Sequence, residues 1–205
     1  MKPHIRQLLA SSQFKMMKIR MLNKYCAALV LSLSPLLSVA QVCQLPLERS
    51  APDERFQIDV TEPGIVVDLQ TGLTWQRCIA GFELDYANTT TISDDTCTVI
   101  DEDLDGVADP DIAVLYSWDE ALAFAESLGG GWRVPNIKEL ASLVEYACIL
   151  PSINGNVFPN AGQIDHWSST PDTFDDSSVW VISFGSGDDG TNPKNQDSPV
   201  YLVRD

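Results

Sequence analysis

The apolar residues of this chain form one dense run near its start, from Cys26 to Leu37, and afterwards recur only in short patches of alternating or helical spacing. Gly64-Ile-Val-Val-Asp68 and Leu73-Thr-Trp-Gln-Arg77, separated by Gln70-Thr71-Gly72, predict two short strands around a turn. Residues 79–113 are rich in Thr and Asp and carry no helical stripe, so they read as an insert. Leu122, Ala125 and Leu128 then fall at helical spacing, with Ala121 widening the stripe. Ahead of them Ser117-Trp-Asp-Glu120 is a capping box, in which the serine oxygen accepts from the backbone three residues on and the glutamate reaches back. Gly129-Gly130-Gly131 stops that helix.

Asn136-Ile-Lys-Glu139 repeats the capping device after Pro135, with Leu140, Leu143, Val144 and Ala147 as the stripe to be buried. Two amphipathic helices of about three turns each are expected. Val179-Trp-Val-Ile-Ser-Phe184 is dense in β-branched and aromatic residues and predicts a strand, with Trp180, Ile182 and Phe184 on one face. Val200-Tyr-Leu-Val-Arg204 predicts another strand, and the Gly/Asp/Asn-rich stretch 185–198 reads as the loop between them. Residues 41–63, rich in Pro and acids without sustained period, read as an extended arm, of which 41–54 precede the domain proper.

The early apolar run changes meaning once its flanks are considered. Met1 to Lys24 holds six basic residues and no acid, and the run of about a dozen residues is too short for the roughly 20 that span a bilayer. Ser38-Val39-Ala40 supplies the small side chains of a cleavage site. Residues 1–40 are therefore expected to be a secretory signal peptide and Gln41 the mature N-terminus, although Met16, Met17 and Met21 are alternative starts. Lipidation fits poorly, because Tyr25 precedes Cys26 and Val42 precedes Cys43, where a small residue is required. The expected location is the periplasm, or the outside or surface of a Gram-negative cell, with no transmembrane segment left after signal removal.

All 29 acids lie beyond residue 40 but only seven of the 13 basic residues do, so the remaining 165 residues carry a net charge of −22. Such a surface repels nucleic acid and anionic lipid, and suits a solvated acidic exterior or cation binding. Those 165 residues suit a single domain with a real core.

Cys26 leaves with the signal, and Cys43, Cys78, Cys97 and Cys148 remain, an even number in an exported chain. Of the three possible pairings, Cys78–Cys97 with Cys43–Cys148 is favoured, because the first closes the polar insert and the second pins the N-terminal arm to a helix end. Metal ligation is the weaker reading: no pair has CxxC spacing, and His166 is the one histidine beyond residue 40.

The sharpest candidate chemistry is Asp101-Glu-Asp-Leu-Asp-Gly-Val-Ala-Asp109. Asp101, Asp103, Asp105 and Asp109 with glycine at 106 match the first nine places of a calcium loop, where alternate residues turn hard oxygens toward one ion. Ile112 stands where an EF-hand needs its bidentate glutamate, so the loop is closer to the shorter aspartate loops of thrombospondin type-3 repeats. Calcium is the cofactor such a loop would hold, and a solvated acidic turn is the competing reading.

The series Gly64-Ile-Val-Val-Asp68, Thr71-Gly-Leu-Thr-Trp-Gln-Arg-Cys78, Trp118-Asp-Glu-Ala-Leu122, Gly131-Trp-Arg-Val-Pro-Asn-Ile-Lys-Glu-Leu140, Val157-Phe-Pro-Asn160, His166-Trp-Ser-Ser-Thr170 and Tyr201-Leu-Val-Arg204 resembles one bacterial family, named after the C-terminal part of the Lcl collagen-like adhesin. The resemblance covers roughly residues 55–205. It implies an α+β, C-type-lectin-like fold: two short helices, small antiparallel sheets, termini brought together, and long disulfide-braced loops. His166 departs from the pattern, since the family usually has an aromatic residue there. Trp75, Trp118, Trp132, Trp167 and Trp180 are spread across the motifs, as core-forming aromatics are, with ligand stacking the alternative, and Arg133 reads as an ion-pair partner inside the fold, with ligand contact the alternative.

The adhesin that lends the family its name is associated with sulfated polysaccharides, a partner that a charge of −22 would repel. Sugar binding of the C-type lectin kind needs Glu-Pro-Asn or Gln-Pro-Asp and Trp-Asn-Asp, and neither occurs. Formylglycine-generating enzymes share the implied fold class and use a cysteine pair, but these cysteines are better explained as bridges. No nucleophile-elbow pattern surrounds a serine, no phosphate-cradling glycine loop is present, and His166 alone is available to a triad. The expectation is an exported, non-enzymatic binding or surface-interaction module for an extracellular or envelope ligand, glycan or protein. An envelope polysaccharide- or protein-modifying enzyme and a structural subunit of a surface assembly are the alternatives.

Overall fold

The computed structural model describes residues 41–85, 92, 95–99, 115–159 and 161–205. The arm that composition marked as extended is held at several points. Its β1 (Val42–Cys43) pairs antiparallel with a later strand, a 3-10 turn spans Asp53–Arg55, and β2 (Phe56–Ile58) enters a sheet. A three-residue strand takes its pairing from tertiary neighbours more than from its own pattern, so β2 was not legible.

The pair expected around Gly72 forms as β3 (Ile65–Asp68) and β4 (Thr74–Gln76), with Val66 opposite Trp75. Gly72 sits at φ +77°, a conformation other residues take at a cost, and donates its N–H to Asp68 O at 2.8 Å. Within the insert, β5 (Phe82–Asp85) and β6 (Thr96–Val99) pair antiparallel, two strands that the composition of residues 79–113 did not mark.

Both capping boxes form. Ser117 caps α1 (Trp118–Leu128) and Asn136 caps α2 (Ile137–Ala141). The buried face of α1 is nevertheless Ala121 and Ala125, while Leu122 is half-buried and Leu128 exposed, so small residues let the helix lie close to its neighbours. Helix α2 is also shorter than three turns. After Ala141 the chain tightens through Leu143 N–H to Leu140 O and Val144 N–H to Ala141 O, both 3.1 Å, and the Glu145 carboxylate captures the Ala147 N–H. Leu140, Leu143, Val144 and Ala147 are all buried as their spacing requires.

After β7 (Cys148–Ile149), the partner of β1, three strands form one antiparallel sheet: β8 (Asp165–Pro171), β9 (Ser178–Ser183) and β10 (Asp189–Pro193), in the order β10-β9-β8. Strand β10 lies in the stretch expected to be loop. It is an edge strand of polar residues whose ladder comes from β9, and edge strands carry little hydrophobic signal. The last strand, β11 (Val203–Arg204), joins the first sheet in the order β11-β4-β3-β2, which brings the final residues against the first half of the domain.

Two apolar clusters fill the interior, and the C-terminal segment runs between them. Tyr201 and Val203 enter the cluster of Trp75, Leu140 and Phe158, whereas Val200 and Leu202 enter that of Trp167, Ala121 and Ala125. Strand β9 does the same, with Ile182 on one side and Val179 and Val181 on the other. A segment buried on both faces reads as a continuous apolar run, as 200–203 does. Of the strand expected over Val200–Arg204, however, only Val203–Arg204 forms, since Val200 and Leu202 give their carbonyls to the separate N–H groups of Ala80 and Gln76 rather than to a regular ladder. Trp75 and Trp167 are fully buried core residues; Trp118, Trp132 and Trp180 are only half-buried.

Candidate functional site

The site begins with Asp68 at the end of β3. Its carboxylate accepts from Gln70 N–H at 3.0 Å, Thr71 Oγ1 at 2.7 Å and Arg55 Nε at 2.8 Å, fixing the β3–β4 turn. Burial would raise its pKa, but these hydrogen bonds, foremost those from Arg55, hold it below the ordinary carboxylate range. Arg55 also donates to Ser50 O at 3.2 Å, tying the arm to the turn.

The second fixture is Glu145, wholly buried after α2. It accepts from the backbone N–H groups of Ser50 (3.1 Å), Ala51 (3.0 Å) and Ala147 (3.0 Å) and from Arg49 Nε (3.1 Å). Burial again opposes ionisation and the N–H groups outweigh it, so its pKa is lowered.

Between these fixtures lies an open groove of about 430 Å³, lined by Ser50 and Arg55 of the arm, Gln70 and Thr71 of the turn, Lys138, Ala141 and Ser142 of the α2 region, and Val144 and Tyr146 beyond it. The Ser50, Thr71 and Ser142 hydroxyls already donate to Val144 O, Asp68 and Glu139 O. Lys138 is exposed, and among the described residues it is the one basic side chain with no carboxylate, backbone carbonyl or aromatic ring against it. Arg204 and Lys194, by contrast, lie over the rings of Trp132 and Trp118 at 4.6 and 4.8 Å. Tyr146 is 70% exposed, and its backbone N–H donates to Ser50 Oγ at 2.9 Å, anchoring the main chain from which the ring projects. A cation, an open aromatic ring and the Gln70 amide on a rigid frame can bind a ligand that has one anionic or strongly polar group beside an apolar face.

The cysteines expected to pair do so: Cys43 with Cys148 and Cys78 with Cys97, with Cα–Cα distances of 4.0 and 5.7 Å. The bridge from Cys43 joins the arm to β7, just beyond the Leu140–Ala147 stripe. Asp101, Asp103, Asp105 and Asp109 lie outside the described residues; among those described, no three His, Cys, Asp or Glu side chains are grouped to hold a metal.

His166 is a core residue. It stacks on Tyr201 with ring centroids 5.3 Å apart, meets Phe184 edge-on, and places Nδ1 2.9 Å from Ile164 O. Burial pulls its pKa down to about 4. The aromatic place it occupies in the family pattern is thus filled by a neutral ring doing an aromatic's packing. Arg133 is an internal tie as expected, reaching Glu139 at 2.7 and 2.9 Å and Asp205 at 2.7 Å, and these bonds, Glu139's first, raise its pKa.

The groove residues were not singled out from sequence. Lys138 sits inside a capping box and reads as helix surface. The available signal was Tyr146, an aromatic placed just off the Leu143-Val144-Ala147 stripe, where a polar residue is expected.

Fold and site together define a small disulfide-braced α+β domain that presents an open groove on a fixed frame. The family profile of the Lcl C-terminal domain matches residues 64–204, more than two thirds of the chain, and the chain belongs to that family. Comparison with curated proteins finds no match.

Proposed function

We propose that the protein is an exported, non-enzymatic binding module of C-type-lectin-like fold that takes an envelope or extracellular ligand in the groove between the arm, the β3–β4 turn and α2. The observation that carries this reading is the unpaired Lys138 beside the exposed ring of Tyr146, in a domain where the other described basic side chains are engaged. An uncommitted cation on so acidic a chain has no evident structural duty, and a rigid site binds with little ordering cost.

Two disulfides and the absence, among the described residues, of any helix long and apolar enough to cross a membrane are compatible with a periplasmic or extracellular home. Two helices, small antiparallel sheets and a last strand that joins the early strands β2–β4 in one sheet support the C-type-lectin-like assignment. The ligand is expected to carry a single anionic group, since a polyanion would be repelled by the domain's overall charge. Calcium, held by Asp101, Asp103, Asp105 and Asp109, would stiffen the insert beside Cys97. Screening the mature domain against glycans and envelope proteins, with Lys138→Ala as the control, tests the reading. A ligand retained by the native domain and lost by the variant supports it, and ligands bound equally by both refute the groove.

A further inference from the structure

Gln41 lies two residues ahead of the Cys43–Cys148 bridge, and its side chain is docked. Nε2 donates to Pro151 O at 2.8 Å and to Ile153 O at 2.7 Å, so both amide hydrogens are used on carbonyls more than a hundred residues away in sequence. The amide oxygen faces Gly155, where a Cβ would stand 3.7 Å from Oε1, at ordinary van der Waals contact. Val42 then pairs with Ile149. The chain is therefore fixed from the residue that follows the expected cleavage after Ala40.

A glutamine at a free N-terminus is chemically unstable. Its α-amine attacks its own Cδ, the Cδ–Nε2 bond breaks, ammonia leaves, and a five-membered lactam remains with the terminal positive charge lost. The attack requires the side chain to fold back on the α-nitrogen and the departing nitrogen to come free. In the docked position Nε2 is held by two carbonyls, and the reacting conformer is reached only by breaking both bonds and drawing Gln41 out of its seat.

We propose that the Pro151 and Ile153 carbonyls form a latch for the newly cut N-terminus: they receive the Gln41 carboxamide after signal removal and protect it from cyclisation. The mature protein then keeps an intact amide and a free α-ammonium. The latch is specific for an amide, since Gln41→Glu would turn carboxylate oxygens toward two carbonyl oxygens. The inference rests on cleavage after Ala40 and is independent of the groove.

Intact mass and N-terminal sequencing of the protein recovered from an exporting host test it. The expected result is a start at an unblocked Gln41. On incubation the native protein should lose ammonia at least about tenfold more slowly than the same chain reduced and unfolded, as the breaking of two hydrogen bonds requires. Gln41→Glu should melt at a lower temperature than the native protein. A terminus already cyclised as isolated, or equal rates in the native and unfolded chains, would overturn the latch. A start at another residue would overturn it too, by refuting the cleavage site, and would leave the groove reading untouched.

Discussion

Arg77 meets Asp95 in a buried ion pair, Nη1 to Oδ2 at 2.8 Å, immediately beside the Cys78–Cys97 bridge. The rest of the guanidinium is spent on carbonyls: Nε on Val157 O at 2.8 Å, Nη1 on Pro63 O at 2.9 Å and Nη2 on Asn156 O at 3.2 Å. The insert is thus tied to the domain twice at one place. Removing one partner of a buried pair leaves the other charge without compensation, so Arg77→Met should destabilise by about 3–5 kcal/mol in urea titration. Cys78→Ser with Cys97→Ser should cost less than loss of the pair, because Arg77 continues to hold Asp95.

Glu145 organises the arm as Arg77 organises the insert. Glu145→Ala leaves the N–H groups of Ser50, Ala51 and Ala147 unsatisfied and Arg49 with a weaker partner. A loss of about 3 kcal/mol is expected, at roughly 1–3 kcal/mol per buried group less what relaxation and water recover. Limited proteolysis should then cut the variant within residues 44–54, where the native protein resists.

Acid should destabilise the domain in two stages, and the first belongs to His166. Its pKa is about 4 folded against an ordinary 6.5, so between those values the unfolded chain binds more protons and stability rises with pH. The contribution is fully present above pH 6.5 and lost as pH falls toward 4, about 3 kcal/mol in all at 1.36 kcal/mol per pH unit. His166→Phe should flatten the stability profile over that window. The second stage, at lower pH, comes from Asp68 and Glu145, whose pKa values are lowered in the fold and whose contribution is lost as they protonate.

Calcium titration tests the aspartate loop. Added calcium should raise the melting temperature, and Asp103→Ala with Asp105→Ala should abolish the rise; a native domain indifferent to calcium would remove the site.

Where local chemistry decides, the sequence was legible. Both capping boxes and the Gly72 turn follow from residues within a few positions of one another. The cysteine pairs followed from where the insert and the arm had to close. What escaped was decided by partners distant in sequence: β2 and β10 borrow their ladders from β3 and β9, and α2 ends early as Glu145 diverts the backbone toward the arm. The groove belongs to this second kind. Gln70, Lys138 and Tyr146 become neighbours only because Asp68 and Glu145 fasten the arm, the turn and the helix end together, and nothing in their own segments marks them as a set.

Titration calorimetry of the mature domain with the ligand recovered by screening is the most direct test of that groove. The native protein should bind, and Lys138→Ala with Tyr146→Ala should weaken binding at least about tenfold, equivalent to about 1.4 kcal/mol, with an unchanged melting temperature. Equal affinity in the two proteins would contradict the groove as the binding site.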